Sequence, residues 1–272
     1  MIVKNFFESM DTMSAPTTLD LLWGTPQRPR RGPKPSLSVE RIVTEAIALA
    51  DAEGLANLSM QRLAERLGCA KMALYRYVPG KTELMALMLD AAMGTPPGAT
   101  APETGETPSR RPASPESPPA PRDPAIRRDQ LRLWSETIFD RLRAHPWTLE
   151  VATGVRPMGP NEMAWLESAL SALSGSGLTG PERLDTVVLL LGHVRSLVQQ
   201  VGPAGADEDL ESRLAEQIGR VVATRADDYP EVVAAFAEQT AASADPATAR
   251  NNALHFGIDR ILDGVAALMS AR

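Results

Sequence analysis

The stretch that decides the fold is Leu58–Lys81, LSMQRLAERLGCAKMALYRYVPGK, which predicts a helix, a tight turn and a second helix. Leu63 and Leu67 stand four residues apart on the first helix, so both face inward. Ser59 is placed to cap that helix, and Gly68 falls where the chain reverses and a positive φ costs glycine little. A short turn between two helices is the geometry of a helix-turn-helix.

The second helix of this stretch combines a buried pair with a cationic and aromatic outer surface. Leu74 and Val78 stand four residues apart and are predicted to be buried. The side chains predicted to face other surfaces are Lys71, Met72, Ala73, Arg76 and Tyr77. Such a surface suits the major groove of DNA, and the alternative is an ordinary helical hairpin within a bundle.

Amphipathic helices flank this stretch on both sides. Leu37–Leu55 is predicted to be helical, capped by Ser38 and ended by Gly54, and Lys81–Met93 forms the helix that follows. The residues predicted to face inward are Ile42, Ala46, Leu49, Ala50, Leu84, Leu87 and Met88.

With these flanks, Leu37–Met93 resembles the DNA-binding domain of the TetR family, the tetracycline-repressor-like bacterial regulators. The matching runs are IALADAEGL, LAERLG and ALYRYVPGKTELM. The resemblance implies an all-α protein. Its N-terminal part would be a three-helix domain with a helix-turn-helix, and its larger C-terminal helical part would bind a ligand and form a dimer.

Composition agrees with an all-α chain. Only five Phe, three Tyr and four Trp occur in 272 residues, alongside abundant Ala and Leu. The single cysteine, Cys69, cannot form an internal disulfide, which agrees with a reducing cytoplasm. We expect Cys69 to be a small buried apolar residue, with a redox-sensing thiol as the alternative. The N-terminal residues lack a signal-peptide pattern and no run is long enough to span a membrane, so we expect a cytoplasmic protein.

Charge is divided unevenly along the chain. The net charge is −6, yet Arg28–Met93 contains ten basic and seven acidic residues, so it is +3 and the remainder is −9. This asymmetry suits a protein of which one end meets phosphates.

Four zones follow from the composition. Residues 1–36 are predicted to be a disordered basic extension, and its Arg28–Lys34 cluster is either an arm for the DNA minor groove or a solvated tail. Residues 37–93 form the DNA-binding domain. Residues 94–124 are rich in Pro, Gly, Ser and Thr and predict a flexible linker. Residues 125–272 form the helical C-terminal domain.

The C-terminal zone divides into seven predicted helices, with Gly and Pro at the breaks. They cover about 125–144, 146–153, 160–175, 181–201, 208–225, 229–242 and 247–270. The first of them should face inward with Leu131, Trp134, Ile138 and Leu142.

This zone is similar to the C-terminal domain of the tetracycline-repressor type. The matching runs are HPW, TGVRPMGPN, WLESALSALSGSGL and FGIDRILDGVAAL. The resemblance implies a homodimer in which 181–201 and 247–270 pack against their symmetry mates. Residues Val187, Leu190, Leu191, Val194, Leu197 and Val198 make 181–201 apolar over more than one face. That pattern fits a dimer interface, or the central core helix of a monomer.

A small-molecule pocket is expected between the helices of this domain. The candidate ligand contacts are Trp134, Phe139, Trp147, Met158, Trp165, His193, Gln199 and Phe236. His193 interrupts an apolar helix, where its ring would contact a ligand or would be satisfied by a neighbour in the core.

One position departs from the tetracycline-responsive relatives. In those proteins a histidine four residues before an Arg-Pro pair binds the magnesium that the drug carries. Here the pair is Arg156-Pro157 and the matching residue is Ala152. A methyl group is no metal ligand. We therefore predict no magnesium–tetracycline recognition by that route, and an apolar or aromatic inducer instead.

The resemblance and the side-chain chemistry together assign roles at the DNA interface. Lys71, Met72 and Ala73 open the recognition helix and are predicted to reach base edges, with Gln61 as a further base contact. The residues predicted to bind phosphates are Tyr75, Arg76, Tyr77 and Lys81, joined by Ser59 beside its capping role.

The predicted function is a ligand-responsive repressor that binds a palindromic operator as a homodimer and is released by a small-molecule inducer. The chain has three histidines and lacks the zinc-protease, nucleophile-elbow, phosphate-loop and dinucleotide motifs, so we expect neither an enzyme nor a cofactor. An activator, or a ligand-independent regulator of the same fold, is the alternative. The expected partners are double-stranded DNA, an inducer and a second copy of the chain, without a membrane.

Overall fold

In the computed structural model, the regular secondary structure of the described residues is helical. The described residues are 16–24, 37–98, 123–201, 216–222, 224–243 and 253–271. No strand occurs within these ranges, and the predicted all-α fold is confirmed. None of their helices has both the length and the apolarity to cross a membrane.

Contacts divide the chain into two compact units. The first, here the head unit, comprises Met1–Gly94 and Glu150–Met163. The second, the C-terminal unit, comprises Thr95–Leu149 and Ala164–Arg272. Residues 150–163 were expected to belong to the C-terminal domain, and their packing instead assigns them to the head unit.

Eleven helices are labelled here in chain order. The first five are α1 (Thr18–Trp23), α2 (Val39–Glu53), α3 (Met60–Leu67), α4 (Lys71–Tyr75) and α5 (Lys81–Met93). The others are α6 (Pro124–Ala144), α7 (Thr148–Val151), α8 (Pro160–Ala172), α9 (Gly180–Val201), α10 (Pro230–Ser243) and α11 (Ala253–Ser270). Residues 216–222 are also helical, and short 3-10 turns cover Leu55–Asn57 and Ala226–Asp228.

The core of the head unit forms where α2 packs on α3 and α5. Ser38 caps α2 as predicted, because its hydroxyl accepts a hydrogen bond from the Arg41 amide at 3.2 Å. Gly54 ends the helix with a φ of 80°. All the residues predicted to face inward here are buried, namely Ile42, Ala46, Leu49, Ala50, Leu84, Leu87 and Met88.

The N-terminal extension contains a helix that the sequence analysis missed. Thr17 and Asp20 cap α1 reciprocally: the Thr17 amide donates to the Asp20 carboxylate at 2.9 Å, and the Asp20 amide donates to the Thr17 hydroxyl at 3.2 Å. Leu22 is buried, and α1 packs on α5. The expectation of disorder across 1–36 is therefore wrong for 17–24, because six residues are too few to show a helical period. The Arg28–Lys34 cluster lies outside the described residues.

The core of the C-terminal unit is built from α6, α9 and α11, which pack on one another. The buried apolar residues are Leu131, Trp134, Ile138 and Leu142 on α6, Val187, Leu190, Val194 and Val198 on α9, and Leu254, Ile258 and Leu262 on α11. The inward face predicted for α6 is confirmed. Leu191 and Leu197, also predicted to be apolar contacts, are half-buried.

In this unit, the helix start that has a side-chain cap lies close to its predicted position. Asp123 caps α6 by accepting from the Ala125 amide at 2.8 Å, and Pro124 occupies the first turn, one residue before the predicted start. The helices predicted at 146–153 and 160–175 are shorter, ending at Val151 and Ala172. Residues 99–122 of the predicted linker, 202–215 and 244–252 lie outside the described residues.

Ion pairs join α6 to α11. Arg128 contacts Asp263 at 2.7 Å and Asp259 at 2.9 Å, and Arg132 also pairs with Asp259. Burial alone would raise the pKa of Asp259, but hydrogen bonds from Arg132 and Arg128 outweigh it and hold that pKa below its ordinary value. These pairs therefore fasten the two helices through charge as well as apolar packing.

Candidate nucleic-acid interface

The helix-turn-helix consists of α3, a turn at Gly68 and the five-residue α4. The Ser59 hydroxyl accepts from the Arg62 amide at 3.2 Å, which confirms it as the cap of α3. Gly68 adopts the left-handed conformation, with φ 66° and ψ 34°, and the next amide, that of Cys69, donates to Ala64 at 3.0 Å. The predicted turn is confirmed in its detail.

Three fully buried side chains hold the two helices together. Leu63, Leu74 and Val78 have no more than a trace of exposed surface. Val78 was predicted within the second helix, but α4 ends at Tyr75, so it is buried from the turn that follows. Cys69 is half-exposed rather than buried as expected. The three side chains already fill the space between the helices, which leaves Cys69 at its rim.

The residues predicted to touch DNA lie on the outside of this motif. Gln61, Lys71, Met72, Arg76 and Lys81 are exposed, whereas Ser59, Ala73, Tyr75 and Tyr77 are half-buried. Met72 exposes 73% of its surface, far more than a methionine in a core. The first turn of α4 therefore presents Lys71 and Met72 to solvent, with Ala73 half-buried beside them, and the contact of all three with DNA stays a prediction.

Two predicted contacts already have partners inside the head unit. The Gln61 amide donates to the Glu65 carboxylate at 2.7 Å, and the Lys71 ammonium lies 5.9 Å from the centre of the Tyr75 ring. The second contact is within the range of a cation–π interaction and orients Lys71 without neutralising it. The bond to Glu65 uses one N–H of the Gln61 amide, and the second N–H and the carbonyl oxygen remain for a base contact.

Within the described residues of the head unit, three cations without an ion pair lie at α4 and the start of α5. Arg62 pairs with Glu53 and Arg66 with Glu45, each at 2.5 Å, so these arginines are neutralised by α2. Among the described residues, Lys71, Arg76 and Lys81 form no ion pair. Unpaired surface cations of this kind are available to phosphate oxygens.

A buried carboxylate that the sequence analysis missed joins α5 to residues 156–162. The Glu162 amide donates to Asp90 Oδ1 at 3.0 Å, and the Asn161 side chain donates to the Asp90 carbonyl at 3.0 Å. Gly159, which directly precedes α8, has no side chain with which to cap that helix, so Asp90 supplies the cap from α5. Burial raises the pKa of Asp90, and the neighbouring charge of Glu162 adds to the effect.

The close fit around Asp90 depends on Gly159. A Cβ at Gly159 would lie 2.2 Å from the Asp90 carboxylate, too close for any contact. Arg156 forms a two-pronged ion pair with Glu162, so the charge of that buried carboxylate is compensated. A lone acid in the apolar run of α5 was the available signal for this arrangement, since buried acids need partners.

The C-terminal unit contains a cavity of about 640 Å³ beside α6 and α8. Its lining includes Leu131, Leu133 and Trp134 from α6, and Glu167, Ser168 and Ala172 from α8. A volume of this size suits a drug-sized molecule, and the mixture of apolar, hydroxyl and carboxylate groups suits an amphipathic one.

The eight predicted ligand contacts are spread over several environments. Within the described ranges, Trp134 is the one that lines this cavity; its indole donates to the Trp165 carbonyl at 2.9 Å, and the two rings meet edge to face. Trp147 and Trp165 are buried, Phe139 and Phe236 are half-buried, and Gln199 is exposed. Met158 lies in the head unit, where its carbonyl accepts from Trp23.

His193 has a partner within the core. Its Nε2 lies 3.1 Å from the Leu254 carbonyl, and Gly257 lets α11 approach the ring, since a Cβ there would lie 2.1 Å away. This geometry favours the core interpretation of His193 over ligand contact. Ala152 follows α7 and is half-buried. Across the described residues, no group of three or more His, Cys, Asp or Glu side chains is arranged to hold a metal ion.

Comparison with known proteins assigns both halves of the chain to one family. Residues 42–88 match the family model described as bacterial regulatory proteins, tetR family. Residues 120–269 match that described as tetracyclin repressor-like, C-terminal domain. The second match alone covers more than half of the chain.

Two curated relatives are similar along most of their length. The HTH-type transcriptional repressor DrrR1 of Streptomyces coeruleorubidus is 35% identical over 260 residues, covering 94% of this chain and 87% of that protein. An HTH-type transcriptional regulator of Saccharopolyspora erythraea is 30% identical over 218 residues, covering 79% and 81%.

Solved structures agree in fold. Apo ActR from Streptomyces coelicolor superposes with a TM-score of 0.63 at 25% identity, covering 88% of this chain and 99% of that one. ActR in complex with actinorhodin gives 0.62 at 24% identity, covering 86% and 97%. The predicted family, fold and class of function are therefore confirmed: the chain belongs to the TetR family of bacterial regulatory proteins and is a helix-turn-helix regulator of transcription.

Proposed function

We propose that this regulator is a repressor that binds a palindromic operator as a homodimer and leaves it when a small molecule binds the C-terminal unit. The observation that carries the proposal is the first turn of α4, where Lys71 and Met72 are exposed beside a half-buried Ala73, and Lys71 has no carboxylate partner within the described residues. A recognition helix reads bases through its N-terminal residues.

Base reading and phosphate binding fall to different side chains. The Lys71 ammonium donates to guanine acceptors, while Met72 and Ala73 contact thymine methyl groups, with Gln61 as a further base contact. Tyr75, Arg76, Tyr77, Lys81 and Ser59 bind phosphates and set the register. The Arg28–Lys34 cluster contributes as a basic arm. Regulation of this kind takes place in the bacterial cytoplasm, where the chromosome lies.

The homodimer is supported by apolar residues on the outer faces of α9 and α11. Val188 exposes 66% of its surface, Leu189 57% and Phe256 55%, although each is large and apolar. Two copies that pair through these helices would bury those side chains and present two recognition helices one DNA turn apart. An alternative monomer would leave them in water.

The inducer site is the 640 Å³ cavity beside α6 and α8. Trp134 and Leu131 supply apolar surface, and Ser168 and Glu167 supply polar anchors, which favours an amphipathic aromatic ligand. ActR, which is similar in fold, was crystallised in complex with actinorhodin, and this observation about that protein supports a bound ligand here. Ala152 offers no magnesium ligand, so recognition of magnesium–tetracycline remains excluded from the proposal.

Selection of genomic fragments by the full-length protein, followed by footprinting, tests the proposal. We expect a protected palindrome with half-sites about one DNA turn apart. A reporter fused to the protected promoter should rise when the gene for the regulator is deleted. A fall on deletion would instead indicate an activator, and absence of any selected fragment at low salt would contradict operator binding.

A further inference from the structure

Helix α1 is attached to the head unit although it lies outside both matched regions, 42–88 and 120–269. Nothing in the family assignment therefore gives it a role. Its neighbours are α5, which carries Asp90, and the segment 156–163, which belongs by sequence to the matched C-terminal region and by contact to the head unit.

The docking of α1 depends on one apolar side chain. Leu22 exposes 9% of its surface, whereas Leu19, on the same helix, exposes 54%. The reciprocal cap between Thr17 and Asp20 keeps so short a segment helical, which six residues would not achieve in isolation. Leu22 is thus the residue through which α1 is held, and Leu19 is a matched position that contributes little.

A hydrogen bond then ties α1 to a distant part of the chain. The Trp23 indole N–H donates to the Met158 carbonyl at 2.9 Å, across 135 positions of sequence. Asp90 makes a second connection nearby, from α5 to the first turn of α8. The contacts of α1 with α5, of α5 with Glu162 and of Trp23 with Met158 form a closed ring.

We propose that α1 is an intramolecular strap, which fastens residues 156–163 to α5 and so makes the operator affinity of the head depend on residues outside the two matched domains. A movement that pulls 156–163 away from α5 has to break the Trp23 bond as well as the Asp90 cap. Docked α1 therefore raises the free energy that is needed to move residues 156–163 away from α5. The effect on operator affinity rests on the proposed function, whereas the fastening of residues 156–163 to α5 does not depend on it.

Hydrogen exchange of the full-length protein tests the strap without DNA. Leu22→Asp places a charge where α1 is buried, so α1 should detach, and amides of 156–163 should exchange at least about tenfold faster. Leu19→Asp, the matched control, should leave exchange unchanged. Trp23→Phe keeps a ring but removes the N–H donor, and it should accelerate the same amides by up to about fivefold.

Equal exchange in wild type and Leu22→Asp would overturn the strap, as would equal acceleration by Leu19→Asp. Operator affinity provides the second readout: Leu22→Asp should weaken binding several-fold, and Leu19→Asp should not. Unchanged affinity in Leu22→Asp would overturn the functional part of the inference. A wild-type protein that binds no DNA but shows the exchange difference would contradict the proposed function and leave the mechanical strap supported.

Discussion

The two units use positive charge in opposite ways. In the C-terminal unit, Arg128 and Arg132 are paired with Asp259, and the pairs hold α6 to α11. On α4 and at the start of α5, Lys71, Arg76 and Lys81 have no carboxylate partner among the described residues. Cations of the first kind are part of the fold, whereas those of the second kind are available to an external anion.

The head unit itself sharpens this contrast. Arg62 and Arg66 lie on α3 beside the recognition helix, but Glu53 and Glu45 of α2 neutralise them. The composition assigned a charge of +3 to Arg28–Met93, and within its described residues the ion pairs leave Lys71, Arg76 and Lys81 without a carboxylate partner. Net charge therefore favoured this segment for DNA contact, and for its described residues the ion pairs narrow that prediction to the cations without a carboxylate partner.

The largest expected effect comes from dissociating the homodimer, because dissociation separates the unpaired cations of one copy from those of the other. Val188→Glu places a charge on the exposed apolar face of α9, so the homodimer should dissociate. Two linked half-sites gain at least about a hundredfold in affinity over one, and operator binding should fall by that factor. Sedimentation measures the dimer and a gel-shift titration measures the affinity.

Val155→Glu is the matched control, because Val155 is fully exposed on a loop of the head unit. Val155→Glu should change neither the dimer mass found by sedimentation nor the affinity for the operator. A dimer that survives Val188→Glu would show that the exposed face of α9 is not the interface.

Removal of single unpaired cations should have a smaller, salt-dependent effect. Arg76→Ala and Lys81→Ala should each weaken operator and random DNA alike, and each should reduce the slope of log affinity against log salt by about one. Arg132→Ala, which removes a paired cation, should leave that slope unchanged and lower the free energy of unfolding by about 1 kcal/mol. Equal slopes for all three variants and wild type would abolish the distinction between available and paired cations.

Loss of the cap on α8 should affect stability rather than charge. Asp90→Ala removes the acceptor of the Glu162 amide and should lower the free energy of unfolding by about 1 kcal/mol. Gly159→Ala should be at least as damaging, since its Cβ would displace the Asp90 carboxylate. Gly219→Ala, at a helical site with open space, is the control and should be neutral or slightly stabilising. Thermal and urea unfolding measure all three.

The smallest effects should be opposite responses to pH. The pKa of Asp90 is raised in the folded state, so wild type should gain stability relative to Asp90→Asn as pH falls through that pKa toward 3.8. The pKa of Asp259 is lowered, so wild type should be more stable than Asp259→Asn above pH 3.8 and should lose the difference on further acidification. Urea unfolding at several pH values would contradict this account if both differences changed in the same direction.

The caps and the turn of the head unit were predicted from the sequence, whereas its contacts between distant positions of the chain were not. Ser38, Ser59 and Gly68 act within a few residues of themselves, so local pattern was enough to place caps and turn. The Trp23–Met158 bond and the Asp90 cap join positions far apart in sequence, and no local period reveals such pairs.

The C-terminal unit was predicted as a set of amphipathic helices with a pocket between them, but of the eight predicted ligand contacts only Trp134 lines the cavity described here. Trp134 and Trp165 were both candidate ligand contacts, but Trp165 does not line the cavity and instead packs edge to face on Trp134, whose indole donates to the Trp165 carbonyl. Residues that line the cavity, such as Ser168 and Glu167, carry no periodic signal that separates them from an ordinary solvated face.

In this account, the unpaired cations at α4 bind DNA and Lys71 reads a base. The most direct test of this claim compares wild type with Lys71→Ala on the footprinted operator and on random DNA of equal length. We expect the variant to lose about fivefold to a hundredfold on the operator, with relaxed preference at one base position, and little on random DNA. Arg220→Ala, at an exposed arginine of the C-terminal unit, should match wild type on both. Equal losses on operator and random DNA, or none on either, would contradict base reading by α4.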